Sequence, residues 1–255
     1  MAISGNVVFN GVSSLDLHAL VEHPPEYTFP EKEVNTVHIP GRSGDVILPN
    51  HSWKNGTINY QMAIDARKGE YGKIAGRLVE WLQSPIGYKR LEDSFNPHLY
   101  QMATYINGGS ISNIYNQAGQ IEVSFSCLPQ RYLKIGERPI KVTNVGDWYV
   151  IKSPTGFPSK PILEIFGSGS FYITIVTDTP YRRDGLELYE IQVLDNYDGM
   201  WIDCEKCDVY NGASGLLNLN DRVYMKNGFP EIYNEMRIMV PDNVTVNVYP
   251  RWWTL

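Results

Sequence analysis

Several stretches of this chain alternate apolar and polar residues with a strict period of two, and no other feature constrains the fold as tightly. Ile58, Tyr60, Met62 and Ile64 are separated by Asn59, Gln61 and Ala63. Ile121, Val123, Phe125 and Cys127 alternate with Glu122, Ser124 and Ser126, and Val244, Val246 and Val248 with Thr245 and Asn247. Successive side chains of a strand point to opposite faces, so each stretch predicts a strand with one buried face. The 17 Tyr, 8 Phe and 6 Trp, together with frequent Gly and Pro, extend that expectation to a mainly β chain.

One segment has a different period. Between residues 69 and 84 the apolar positions are Tyr71, Ile74, Ala75, Leu78, Val79 and Leu82, with Lys73, Arg77, Glu80 and Gln83 on the other side. That spacing predicts an amphipathic helix, ended by Pro85 and Gly87 and laid on a β domain. A length of 255 residues allows one or two domains, and 43% hydrophobic residues suffice for two cores. The boundary is placed near residues 133–138, where Leu128-Pro129-Gln130-Arg131-Tyr132-Leu133 gives way to Lys134 and Gly136. The expected domains are therefore 1–134, β-sandwich-like with one α-helix, and 135–255, a β-sandwich. The second half lacks a helical period. It carries turn signals at Asn144-Val145-Gly146-Asp147, Gly167-Ser168-Gly169, Asn196-Tyr197-Asp198-Gly199 and Asn227-Gly228.

A net charge of -6, with scattered basic residues, argues against a nucleic-acid-binding face. No apolar run reaches the ~20 residues of a membrane helix, so no membrane association is expected. Met1-Ala2-Ile3-Ser4-Gly5-Asn6 lacks the positive and apolar regions of a signal peptide, which points to synthesis in a cytoplasm. Cys204-Glu205-Lys206-Cys207 is a lone C-x-x-C, without the second pair or the histidines of a zinc site and without a thioredoxin-like context. It reads as two thiols flanking a β-turn, and His51 and His98 stand far from any cysteine. Gly41-Arg42-Ser43-Gly44-Asp45 matches no phosphate-binding pattern and is followed by a strand, Val46-Ile47-Leu48, so it reads as a tight turn. Arg42 and Asp45 there would form a local ion pair or meet a neighbouring subunit. Asp178, Asp184, Glu187, Glu190, Asp195, Asp198, Asp203 and Asp208 sit in turn-like contexts and read as solvated acids. With no hydrolase, zincin or kinase signature, no catalytic residue, metal or cofactor is expected, and the protein is read as not an enzyme. Trp148, Tyr149, Trp201, Trp252 and Trp253 would either fill a core or interface, or stack on sugar rings.

The order of these elements is itself informative. Val37-His38-Ile39-Pro40-Gly41-Arg42-Ser43-Gly44-Asp45-Val46 is followed by the strand from Thr57 to Ile64. The helix comes next and ends in Trp81-Leu82 before Gly87-Tyr88-Lys89-Arg90-Leu91 and a strand to Tyr105. The strand from Ile121 to Cys127, with Pro129 and Tyr132, closes the first half. Lys160-Pro161-Ile162-Leu163-Glu164-Ile165, Asn227-Gly228-Phe229-Pro230-Glu231-Ile232 and Pro250-Arg251-Trp252-Trp253-Thr254-Leu255 mark the second. Taken in this order over the whole chain, the pattern resembles the distal tail protein family of siphophages, in the short form that has no inserted carbohydrate-binding module.

The resemblance implies a galectin-like C-terminal sandwich and a hexameric ring built by the N-terminal domains around a channel. The ring would join the tail tube protein to a tail-associated tip protein and to receptor-binding or baseplate proteins. The tape-measure protein and then DNA would pass through without specific binding. The location would be the distal end of the virion tail, after assembly in the host cytoplasm. A ring needs a segment for its neighbour to grip. Residues 40–55 are the candidate arm, with Pro40, Gly41, Arg42, Gly44, Asp45 and Trp53 as inter-subunit contacts. The alternative is a carbohydrate-binding β-sandwich module for adhesion to the host cell surface. Its galectin-type set of His, Asn, Arg, Trp and Glu is not found in order between Pro161 and Asn247. A cell-wall hydrolase would need paired carboxylates or a metal site.

Overall fold

The computed structural model describes residues 5–66, 71–108, 110–114, 117–143, 146–180, 185–197, 199–211 and 217–255. Gly69 of the expected helix, Asn144 and Val145 of one expected turn, Asp198 of another, and Asp184 lie outside the described residues. The chain is mainly β and antiparallel, and it divides into two compact units, one reaching Arg131 and joined by Leu255, the other Tyr132–Thr254.

The first unit contains β1 (Val7–Phe9), β2 (Val12–Ser13), β3 (Ala19–Val21), β4 (Glu26–Tyr27), β5 (Lys32–Val37), β6 (Val46–Trp53), β7 (Gly56–Asp65), α1 (Tyr71–Gln83), β8 (Lys89–Asp93), β9 (Leu99–Tyr105), β10 (Ile111–Ile114) and β11 (Ala118–Leu133, which runs into the second unit). The main sheet has the order β2-β1-β8-β9-β11-β7-β3. It returns on itself, because Gly5, just ahead of β1, exchanges backbone hydrogen bonds of 3.0 and 2.9 Å with Val21 of β3. The alternating residues line its interior. Ile121, Val123 and Phe125 of β11 lie directly opposite Met62, Tyr60 and Ile58 of β7, and all six are buried. Opposite residues share a face of the sheet, so a slip of one position would turn this whole set outward.

Ile74, Leu78, Trp81 and Leu82 form the buried stripe of α1, while Val79, assigned to the apolar side from spacing, is largely exposed. Trp81 fixes the helix to β1. Its indole N–H donates to the Phe9 carbonyl at 3.0 Å, and the two rings meet edge to face.

The second unit contains β12 (Ile140–Val142), β13 (Tyr149–Lys152), β14 (Ile162–Phe166), β15 (Ser168–Asp178), β16 (Leu186–Tyr197), β17 (Met200–Asp203), β18 (Asp208–Asn211), β19 (Val223–Lys226), β20 (Glu235–Met239) and β21 (Thr245–Tyr249). Among the described residues these make two five-stranded sheets, β12-β21-β14-β17-β18 and β13-β20-β15-β16-β19. Leu163, Ile165, Ile202, Val246 and Val248 from one sheet pack with Ile173, Ile175, Ile191, Val193 and Ile238 from the other in a single core, the arrangement of a β-sandwich. The turn expected at Gly167-Ser168-Gly169 is the corner where the chain leaves the first sheet for the second, and Ser168 already belongs to β15. Gly167 takes φ 148° there. A Cβ on it would meet the Asn243 carbonyl and the Val244 side chain, each at 3.1 Å, so only glycine fits comfortably.

Candidate assembly interface

Among the described residues β5 and β6 pair only with each other and form a two-stranded ribbon apart from the main sheet. The arm therefore starts earlier than residue 40: its first strand is Lys32–Val37. Val34 lies opposite Pro49, Thr36 opposite Ile47, and Val37 opposite Val46, with an irregularity near the root. The root is held by side chains. Lys54 donates to Glu31 at 2.7 Å and Ser52 to Glu33 at 2.6 Å, and the Lys32 ammonium lies 5.8 Å from the Trp53 ring centroid.

Pro40, Gly41, Arg42, Gly44 and Asp45 all fall in the turn at the tip and are exposed. Gly41 and Gly44 take φ 85° and 81°, the left-handed region glycine enters without cost. The Arg42 amide donates to the Ile39 carbonyl at 3.1 Å. Asp45 partners His38 rather than Arg42, with Oδ1 3.0 Å from the imidazole Nδ1. Trp53 is half-buried at the opposite end, so the six residues occupy both ends of the arm. Between those ends, Ile47 is 63% and Leu48 49% exposed, and Val34, Val37 and Ile39 are exposed too. By the register Val34 and Ile47 lie on one face of the ribbon and Val37 and Leu48 on the other. A strand pair cannot bury both its faces by itself, which makes this ribbon the candidate interaction surface.

A polar cluster that sequence reading missed lies at the root of the arm. Asp93 Oδ2 accepts from the hydroxyls of Tyr27 at 3.1 Å and Tyr60 at 3.2 Å. Its Oδ1 accepts from the amides of Phe95 at 2.8 Å and Asn96 at 2.7 Å. Burial, and then the Asp93 charge, push both tyrosine hydroxyls above the ordinary phenol value. Arg131 lies against the Tyr27 ring, its guanidinium 4.9 Å from the centroid. The Nε of Arg131 is buried without a hydrogen-bond partner. Burial also raises the nearby Cys127 thiol to about 12.

The other residues singled out from sequence disperse. Cys204 is buried and Cys207 exposed, on the turn joining β17 to β18. Asp203, expected to be solvated, is instead fully buried. Its Oδ1 accepts from the amides of Glu205 at 3.0 Å and Lys206 at 3.2 Å, and its carboxylate pairs with Arg251. Asp178 accepts from the amides of Asn234 and Glu235, and Glu190 pairs with Lys226 at 2.7 Å. The tryptophans differ in their surroundings, and Trp148 is exposed. Trp252 is buried, Trp253 stacks on Phe157 at 4.6 Å, and Trp201 packs against Tyr210 and Tyr249 at 6.3 and 5.6 Å. β18 and β21, which carry those tyrosines, lie on opposite sides of β17 in the sheet, so Trp201 already has a ring on either side. Among the described residues, no group of three or more His, Cys, Asp or Glu is placed to share a metal ion. No helix there is long and apolar enough to cross a membrane.

No protein-family model and no curated protein matches the sequence. The likeness is one of architecture, and the fold is that of a hub protein from a phage adsorption apparatus. It is shared with SPP1 Dit (gp 19.1), whose crystal structure is described as a paradigm of the hub adsorption apparatus in phages infecting Gram-positive bacteria. The TM-score is 0.70 at 12% sequence identity, and the match covers 96% of this chain and 97% of that one.

Proposed function

We propose that this chain is a distal tail protein, the structural hub at the far end of a siphophage tail. The observation that carries the reading is the fold shared with SPP1 Dit over 96% of the chain, which includes both units rather than one common sandwich. The hub is a homo-hexameric ring formed by an N-terminal domain of residues 1–134, with a galectin-like domain of residues 135–255 projecting from it. One face of the ring docks on the tail tube, and the other carries the tip and the receptor-binding or baseplate proteins. The tape-measure protein and DNA pass through the channel, and the net charge of -6 agrees with a lumen that does not retain phosphates. The role is mechanical, with no catalytic residue, metal or cofactor.

The arm supports the reading on physical grounds. It presents unpaired strand edges and exposed aliphatic side chains, which are satisfied when a neighbouring copy covers them. Pro40, Gly41, Arg42, Gly44, Asp45 and Trp53 are its proposed inter-subunit contacts. Light scattering over a concentration series tests the assembly. The expected species has about six times the 29.0 kDa chain mass. A species of 29.0 kDa at every concentration, unchanged when tail tube protein is added, would overturn the reading.

A further inference from the structure

We propose that the tip of the arm docks into the cleft at the root of the next copy's arm, where Asp45 pairs with Arg131. The inference rests on the ring reading above and names the surface that receives the arm. The cleft is lined by Tyr27, Phe29, Pro30, Gln101, Cys127 and Arg131. Its floor is largely apolar, and Phe29 at its edge is 88% exposed, a large hydrophobic side chain with nothing over it.

Arg131 is the one cation in that lining. Its Nε is buried without a hydrogen-bond partner, and its guanidinium has an aromatic face but no ion-pair partner among the described residues. Asp93, the carboxylate of the adjoining cluster, already holds two hydroxyls and two amides. Glu92 and Asp93 line the adjoining cavity with Arg131, but neither makes a direct ion pair with it. A buried guanidinium N–H left without an acceptor is a cost that an incoming carboxylate relieves. The chemistry of the lining, apolar side chains around one guanidinium, is complementary to a carboxylate carried among apolar side chains and laid over the mouth of the cleft.

The tip supplies that chemistry. Asp45 is exposed and uses Oδ1 on His38, which leaves Oδ2 for a second partner, and exposed Ile39, Ile47 and Leu48 flank it. The tip cannot serve its own chain. The cleft lies where β5 begins and β6 ends, and the eight residues of β6, at ~3.3 Å each, carry the tip about 25 Å away. Each copy thus offers one tip and one root. That is a heterologous contact, which closes into a ring when its rotation permits, and the charge pair would fix its register.

The test uses the full chain and light scattering. D45R and R131E are each expected to lower the assembled fraction at least ten-fold, and the D45R/R131E double variant to restore it, with circular dichroism confirming the fold of each. A second measurement covers a misfolded R131E. F29C/I39C should give an intermolecular disulfide ladder under oxidation that neither single variant gives. If the wild type assembles while D45R leaves assembly unchanged, or the cysteine pair gives no ladder, the docking is wrong and the ring reading stands. A wild type that never assembles removes both.

Discussion

At the residue scale the pairing of Asp203 with Arg251 ties the end of the chain to the β17–β18 turn. The guanidinium grips the carboxylate with two bonds, Nη1 to Oδ1 at 2.8 Å and Nη2 to Oδ2 at 3.0 Å. Burial pushes the Asp203 carboxyl upward, but the hydrogen bond and charge of Arg251 and the two turn amides outweigh it and hold it below its ordinary value. Because the folded value lies below the unfolded one, near 3.9, this contribution to stability is present above that pH. It is lost as the pH falls through the folded value. Arg251→Met leaves the buried carboxylate with only the two turn amides and the Lys206 ammonium at 3.8 Å. It is expected to cost about 3 kcal/mol at pH 7. The gap from wild type narrows toward pH 3, because burial without the guanidinium makes the variant's Asp203 protonate at a higher pH than the wild type's. Urea unfolding at pH 7 and pH 3 measures it, and a gap independent of pH would refute the assignment. None of this was legible in the sequence. Asp203 sits beside a C-x-x-C in a turn, which reads as solvated, and its partner is 48 residues away. Only the fold brings the end of β21 to that turn.

At the element scale, what could be read depended on whether an element has a buried face. β7 and β11 show their period because each packs one face into the interior of the first unit, and β21 does the same in the sandwich. Four buried residues of α1 show the helical period, although Trp81, its anchor, reads in sequence only as the residue before the end. β5 carries no periodic signature in the sequence. Lys-Glu-Val-Asn-Thr-Val is exposed along nearly its whole length, so no alternation is imposed on it, and half of the arm is silent in sequence. The same exposure predicts what the arm does. Among the described residues it adds nothing to the core of its own unit, whose buried members lie outside residues 32–53. Deleting residues 41–45 should leave a folded monomer that no longer forms rings. Circular dichroism with size-exclusion chromatography checks both halves of that statement, and an intact ring from the deletion would rule out the arm as the joint.

At the scale of the whole molecule, each of the two units has a core of its own. The buried cluster of the first unit is drawn from residues 7–127 and that of the second from residues 142–252, with no residue in common. Sequence composition foresaw enough apolar material for two cores. It could not show that the β sheet of the first unit closes through Gly5 and Val21, because that closure rests on two backbone hydrogen bonds that no side chain announces. A rolled sheet hides its edges, as barrels do. The ribbon of β5 and β6, excluded from that sheet, keeps a free edge on each of its strands among the described residues, a surface on which a neighbour can build. Assembly should accordingly reside in the first unit, and the second should be separable. The fragment Tyr132–Thr254 is expected to fold alone, with a β-type circular dichroism spectrum, a cooperative melt, and a monomer mass at every concentration by light scattering. If the fragment itself forms six-membered rings, the joint lies in the sandwich and the arm has another role. If it stays monomeric while the full chain assembles, ring formation belongs to the unit that carries the arm.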